Sequence, residues 1–88
     1  MKRIIINFKK VTDRESFYDL IEKKLGTPAY FGRNLDALHD VLTDGGFTLE
    51  VRSAEKLRES LGEYADKFIG MLNDCEMESG KFRVFIKE

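Results

Sequence analysis

Asp36 and Asp40 stand four residues apart, with His39 between them and Thr43 one turn on, directly after a segment carrying Tyr30, Phe31 and Gly32. On a helix of about 3.6 residues per turn the two carboxylates and Thr43 share one face, with His39 at its edge. Like charges at this spacing repel by about 0.2–0.5 kcal/mol. The chemistry open to such a face is electrostatic: beside aromatic rings, it meets a positively charged partner. An ordinary solvated helix face contains the same pair. Asp36, two residues past Asn34, also sits where the helix dipole favours an anion by about 0.3–1 kcal/mol. Asp40 lies beyond that first turn and has no such explanation.

Other chemistries find less support. Asp36, His39 and Asp40 have the i, i+3, i+4 spacing of metal ligands, but a transition-metal site needs a further ligand and a second shell, and no other histidine or cysteine cluster exists. There is no phosphate-cradling glycine loop, no zinc-type cysteine pairing and no nucleophile elbow. Gly45-Gly46 reads as a helix stop, and Cys75 falls on an apolar stripe as a buried, inert thiol. Lys9-Lys10 and Lys23-Lys24 lack neighbouring stacking aromatics and read as solvated ends of elements. The expectation is a binding protein, not an enzyme, with no cofactor.

The 88 residues make one domain, 1–88, near the small end of what folds unaided. A hydrophobic fraction of 42% supplies one core, and 35% charged residues supply a solvated surface. Fifteen basic residues against sixteen acidic ones give a net charge of −1, without the basic excess that marks nucleic-acid binding. No run approaches the roughly 18 apolar residues of a membrane span, and the N-terminus lacks a signal peptide's apolar region. The single cysteine rules out an internal disulfide and fits a reducing cytoplasm.

The elements that must hold the acidic face follow from periodicity. Ile4-Ile5-Ile6 reads as a strand buried on both faces. Thr12 and Glu15 match a capping box, followed by Phe17, Leu20, Ile21 and Leu25 at helical spacing and a C-cap at Gly26. Thr27-Pro28 opens a loop, and Asn34 caps a second helix with Leu35, Leu38 and Leu42 on its apolar stripe. Residues 47–52 alternate as a strand with one polar face. Ser53 caps a short helix that Gly62 breaks, and a longer helix carries Tyr64, Phe68, Met71, Leu72 and Cys75 on one stripe. A last strand alternates through Phe82, Val84 and Ile86. The order β-α-α-β-α-α-β predicts an α/β fold: a small three-stranded parallel sheet with helices packed on it.

The stretch Pro28-Ala-Tyr30-Phe31-Gly32-Arg33-Asn34-Leu35-Asp36-Ala37-Leu38-His39-Asp40-Val41-Leu42-Thr43 closely resembles the signature of the barstar family, intracellular inhibitors of secreted barnase-type ribonucleases. The family pattern reads tyrosine, aromatic, glycine, any residue, asparagine, leucine, aspartate, alanine, leucine, tryptophan, aspartate. Length and element order agree over the whole chain, while outside the motif the agreement is mainly hydrophobic pattern. The resemblance implies a cytoplasmic inhibitor that is a monomer when free and binds a basic, extracellular-type ribonuclease, with neither nucleic acid nor membrane as partner. It implies that the second helix and the loop before it plug the enzyme's active site. Asp40 would be the central anchor among the enzyme's cationic groups, Asp36 and Thr43 would flank it, and Tyr30 would lie on the catalytic histidine. Asp74 of the long helix would add a further acidic contact, and Phe31, Asn34 and His39 complete the implied partner-binding set. Three positions depart from the pattern. His39 stands in place of tryptophan and titrates near neutrality, Arg33 replaces an acidic residue of the best-known member, and Phe31 lacks a tyrosine hydroxyl. They keep a second reading open, a barstar-fold binding module with a different basic protein partner.

Overall fold

The computed structural model describes residues 2–28 and 31–88. Three strands, β1 (Lys2–Asn7), β2 (Phe47–Arg52) and β3 (Arg83–Ile86), alternate with two helix pairs, α1 (Arg14–Leu25) with α2 (Leu35–Asp44), and α3 (Ala54–Leu61) with α4 (Glu63–Glu78). The sheet order is β1-β2-β3 and both pairings are parallel, with Ile4 opposite Leu49 and Leu49 opposite Val84. The β-α-α-β-α-α-β parallel sheet expected from the periodicity is the one observed.

Two crossovers running in the same direction place all four helices on one face of the sheet. The burial pattern follows: Ile6, Phe8, Leu49, Val51 and Phe82 are buried, while the alternate residues Ile5 (40% exposed) and Phe85 (53% exposed) face outward. The expectation of a first strand buried on both faces is therefore corrected. Three consecutive isoleucines give no period-2 signal, and the second helix layer that would cover Ile5 does not exist. The core closes around an aromatic cluster in which Phe17 lies 5.4 Å from Phe8 and 4.9 Å from Phe68, ring centre to ring centre. Edge-to-face and offset contacts of this kind add about 0.5–1.5 kcal/mol each beyond burial.

Two helix starts differ from their expected form. Asp13, not Thr12, caps α1: its carboxylate accepts from the Ser16 amide at 2.8 Å, and the Ser16 hydroxyl oxygen accepts from the Asp13 amide at 3.2 Å. An aspartate cap adds a charge at the positive end of the helix dipole, and the Ser16 bonds hold the Asp13 carboxyl below its usual range. Ser53 precedes α3 as expected but makes no capping bond. It adopts a left-handed conformation (φ 64°), and its hydroxyl donates 2.7 Å to the Asn7 side chain. Cys75 is buried as expected, and burial pushes its thiol up to about 11, which leaves it inert at neutral pH.

Candidate functional site

α2 is fixed at its start, along its underside and at its end. The Asn34 side-chain oxygen accepts from the Ala37 amide at 2.7 Å, satisfying one of the helix's unpaired donors, and its amide nitrogen donates 3.3 Å to the Gly32 carbonyl. Leu38 and Leu42 are fully buried and Leu35 packs against the core, as the stripe predicts. At the C-terminus, a Cβ on Gly45 would come within 2.6 Å of the Phe47 ring, so a larger residue there would displace that ring.

Arg33 holds the segment before α2. Its backbone is left-handed (φ 52°), a conformation that costs a non-glycine residue about 1–2 kcal/mol. Its guanidinium reaches α1, donating to Asp19 at 2.9 Å, to Glu22 at 3.2 Å and to the Glu15 carbonyl at 2.9 Å. These partners hold the guanidinium pKa above its ordinary value, the Asp19 bond contributing most. The positive charge that departs from the family pattern is thus turned into α1 carboxylates and works as a clasp.

With its underside buried, α2 presents Asp36, Asp40 and Asp44 outward, and its sequence LDALHDVLTD holds no lysine or arginine. The Asp40 side chain is 88% exposed, and its one ion-pair neighbour among the described residues is His39, with Nδ1 3.7 Å from Oδ1. The opposite ring nitrogen, Nε2, lies 2.5 Å from Glu78 at the end of α4. The Glu78 hydrogen bond, with a smaller contribution from Asp40, holds the imidazolium form of His39 above the usual histidine range.

The expected site residues distribute as follows. Asp40 and Thr43 line one shallow groove with Phe31, Gly32, Val41 and Asp44. Asn34 and Asp36 line a second hollow, toward Tyr18, Tyr64 and Lys67. His39 and Thr43 line a third, with Asp44, Glu78 and Lys81. Phe31 is half-buried, its ring 6.0 Å from that of Tyr18, so it supports the segment as well as bordering the groove. The Asn34 amide is committed to the cap, and the Thr43 hydroxyl donates 2.9 Å back to the His39 carbonyl. Asp74 is exposed on α4 and lines none of these three hollows. Tyr30 lies outside the described residues.

Glu78 and Asp44 border the site without having been expected there. Glu78 is 39 positions from its histidine partner, and no local pattern pairs them. Asp44 continues the four-residue spacing of Asp36 and Asp40 and was legible by that rule, but the glycines after it read as a helix stop. Among the described residues, no group of three or more histidine, cysteine or acidic side chains is placed to hold a metal ion. No described helix is long and apolar enough to cross a membrane.

The family described as Barstar (barnase inhibitor) matches residues 1–87. A Bacillus subtilis (strain 168) protein named "Putative ribonuclease inhibitor YrdF" is 35% identical over 91 residues, covering 99% of this chain and 100% of the relative.

Proposed function

This chain belongs to the barstar family, and on that premise we propose that it inhibits a barnase-type ribonuclease by docking the outer face of α2 and the segment before it into the enzyme's active site. The observation that carries the reading is a capped and packed helix whose outward aspartates pair with no lysine or arginine among the described residues, Asp40 facing only the titratable His39. A ribonuclease must hold a phosphate backbone, so its active site is cationic. Carboxylates fixed on a rigid surface occupy such a site as the phosphates do, without being cleaved.

Asp40 is the central anchor in this account. Asp36 and Asp44 extend the negative surface along the helix, while Phe31, Thr43, His39 and Asp74 surround it. Tyr30 belongs to the same set by the family pattern. A desolvated carboxylate among several cations dominates an interface when truncated. Opposite charge on the two partners also speeds encounter. Barnase and barstar are themselves the standard illustration of both effects. The clasp at Arg33 and the cap at Asn34 hold the docking segment in place before binding, which lowers the ordering cost of association. The role is that of a binding protein without catalysis or cofactor, acting as a monomer in the cytoplasm where its host makes the nuclease.

The test is titration of the protein into a barnase assay. The account expects activity to fall linearly to zero at one equivalent. Full activity with the protein in large excess would overturn the ribonuclease reading and move the search to a different basic partner, sought by pull-down from the native host.

A further inference from the structure

His39 occupies the middle of the acidic surface and is its one group that changes charge near neutral pH. Its ring is held between two elements. Nε2 bonds Glu78 of α4 at 2.5 Å, and Nδ1 faces Asp40 of α2 at 3.7 Å. The other charged groups around it are Asp44 of α2 and Lys81 in the turn after α4, which line the same hollow. The ring is one-third exposed and Asp40 is nearly fully exposed, so a docking partner reaches both.

We propose that His39 sets the partner affinity of the α2 surface through its own protonation, the imidazolium masking Asp40 until a cationic partner drives the proton off. This inference rests on the ribonuclease reading and adds a determinant to it. In the free protein Glu78 favours the imidazolium most and Asp40 adds to it, against the partial burial of the ring. When a cationic partner surrounds Asp40, like charges are brought next to the imidazolium and the neutral ring becomes the favoured form. One proton then leaves His39 for solvent as the complex forms. By linkage, affinity rises with pH across the interval between the two titrations and levels off above it, by at most about tenfold per pH unit for one proton.

The position of Glu78 supports the assignment. Its bond to Nε2 fixes the ring in the orientation that turns Nδ1 toward Asp40. It is a positioning residue, and its effect should appear in the pH profile before it appears in the maximal affinity.

The experiment measures the dissociation constant with barnase from about pH 5.5 to about pH 8.5, spanning the ordinary histidine range, for the parent, His39→Gln and Glu78→Gln. The enzyme's own titrations are common to all three, so ratios between profiles report on His39. The parent should gain affinity with pH relative to His39→Gln, and Glu78→Gln should move that gain to lower pH. Superimposable profiles for parent and His39→Gln would overturn the proposal and leave the inhibitor function standing. Imidazole NMR titration of the free protein gives a readout that needs no partner: Asp40→Asn and Glu78→Gln should each lower the His39 midpoint. An unmoved midpoint in Asp40→Asn overturns the proposal whatever the enzyme does. Absence of binding by every variant at every pH overturns the ribonuclease reading, and this inference with it.

Discussion

The outer face of α2 and the open face of the sheet both carry dense charge, and they dispose of it in opposite ways. On the sheet, Glu50 lies in the central strand with only 1% of its surface exposed, although no helix covers it. Arg3 from β1 and Arg52 from β2 hydrogen-bond its carboxylate, and the Lys87 ammonium lies 3.8 Å away. Those arginines hold its pKa down to about 2. The Arg3 guanidinium also lies 5.6 Å from the centre of the Phe85 ring. On α2, three aspartates face outward, and among the described residues the only cation within ion-pair distance of Asp40 is a titratable histidine. A carboxylate surrounded by its own chain's arginines serves folding. One left without them, with only a titratable histidine at 3.7 Å, adds little to stability and is available to a partner.

Four variants bear on that contrast, beginning with the largest effect. Leu38→Ala, on the buried underside of α2, should cost about 2–5 kcal/mol of stability through loss of apolar contact and a residual cavity, read as a shifted urea midpoint. Asp40→Ala, two residues on and on the outer face, should cost about 2 kcal/mol or more of partner affinity with folding intact. Equal losses of stability in both would erase the distinction between the two sides of the helix. Asn34→Ala should lower stability by about 1 kcal/mol by removing the cap, with affinity following only as far as the helix start loosens.

Glu50→Gln sharpens the sheet side of the contrast through pH. The folded-state pKa of Glu50 lies below its unfolded value of 4.5, so its stabilisation is present above about pH 4.5 and is lost as pH falls toward 2. Acid unfolding of the parent should therefore steepen in that window, and Glu50→Gln should flatten it while leaving partner affinity unchanged. An undiminished acid transition in the variant would remove Glu50 from the account of the sheet face. His39 has the reverse sign: its raised folded-state pKa gives stabilisation that is complete below about pH 6.5 and disappears as pH rises through the folded value.

What the chain reveals before folding divides along the same line. Period-2 and 3.6-residue patterns placed six of the seven elements, because each such pattern reports burial of one side, and β1 was legible only as a short apolar run. Asn34, Leu38 and Leu42 were legible for that reason, and so was the outward direction of Asp36 and Asp40. The polar residues of β2 were legible as polar, but the burial of Glu50 was not, since it depends on arginines from two strands and a lysine beyond a third. The same holds for the Arg33 clasp onto Asp19 and Glu22 and for the His39–Glu78 pair, which join elements far apart in sequence. Thr12 was misjudged as the α1 cap because several residue types cap nearly equally well and Ser16 pairs with Asp13, while Ser53 holds the cap position of α3 but spends its hydroxyl on Asn7.

The central claim is that the outward carboxylate of α2 is held for a partner and not for the fold, and the most direct test is to measure both quantities on one variant. For Asp40→Ala, the account predicts an affinity loss for barnase of about 2 kcal/mol or more. It also predicts stability changed by no more than about 0.2–0.5 kcal/mol, as relief of the repulsion with Asp36 offsets the lost His39 contact. A variant that binds as tightly as the parent, or one whose main defect is in folding, would contradict it.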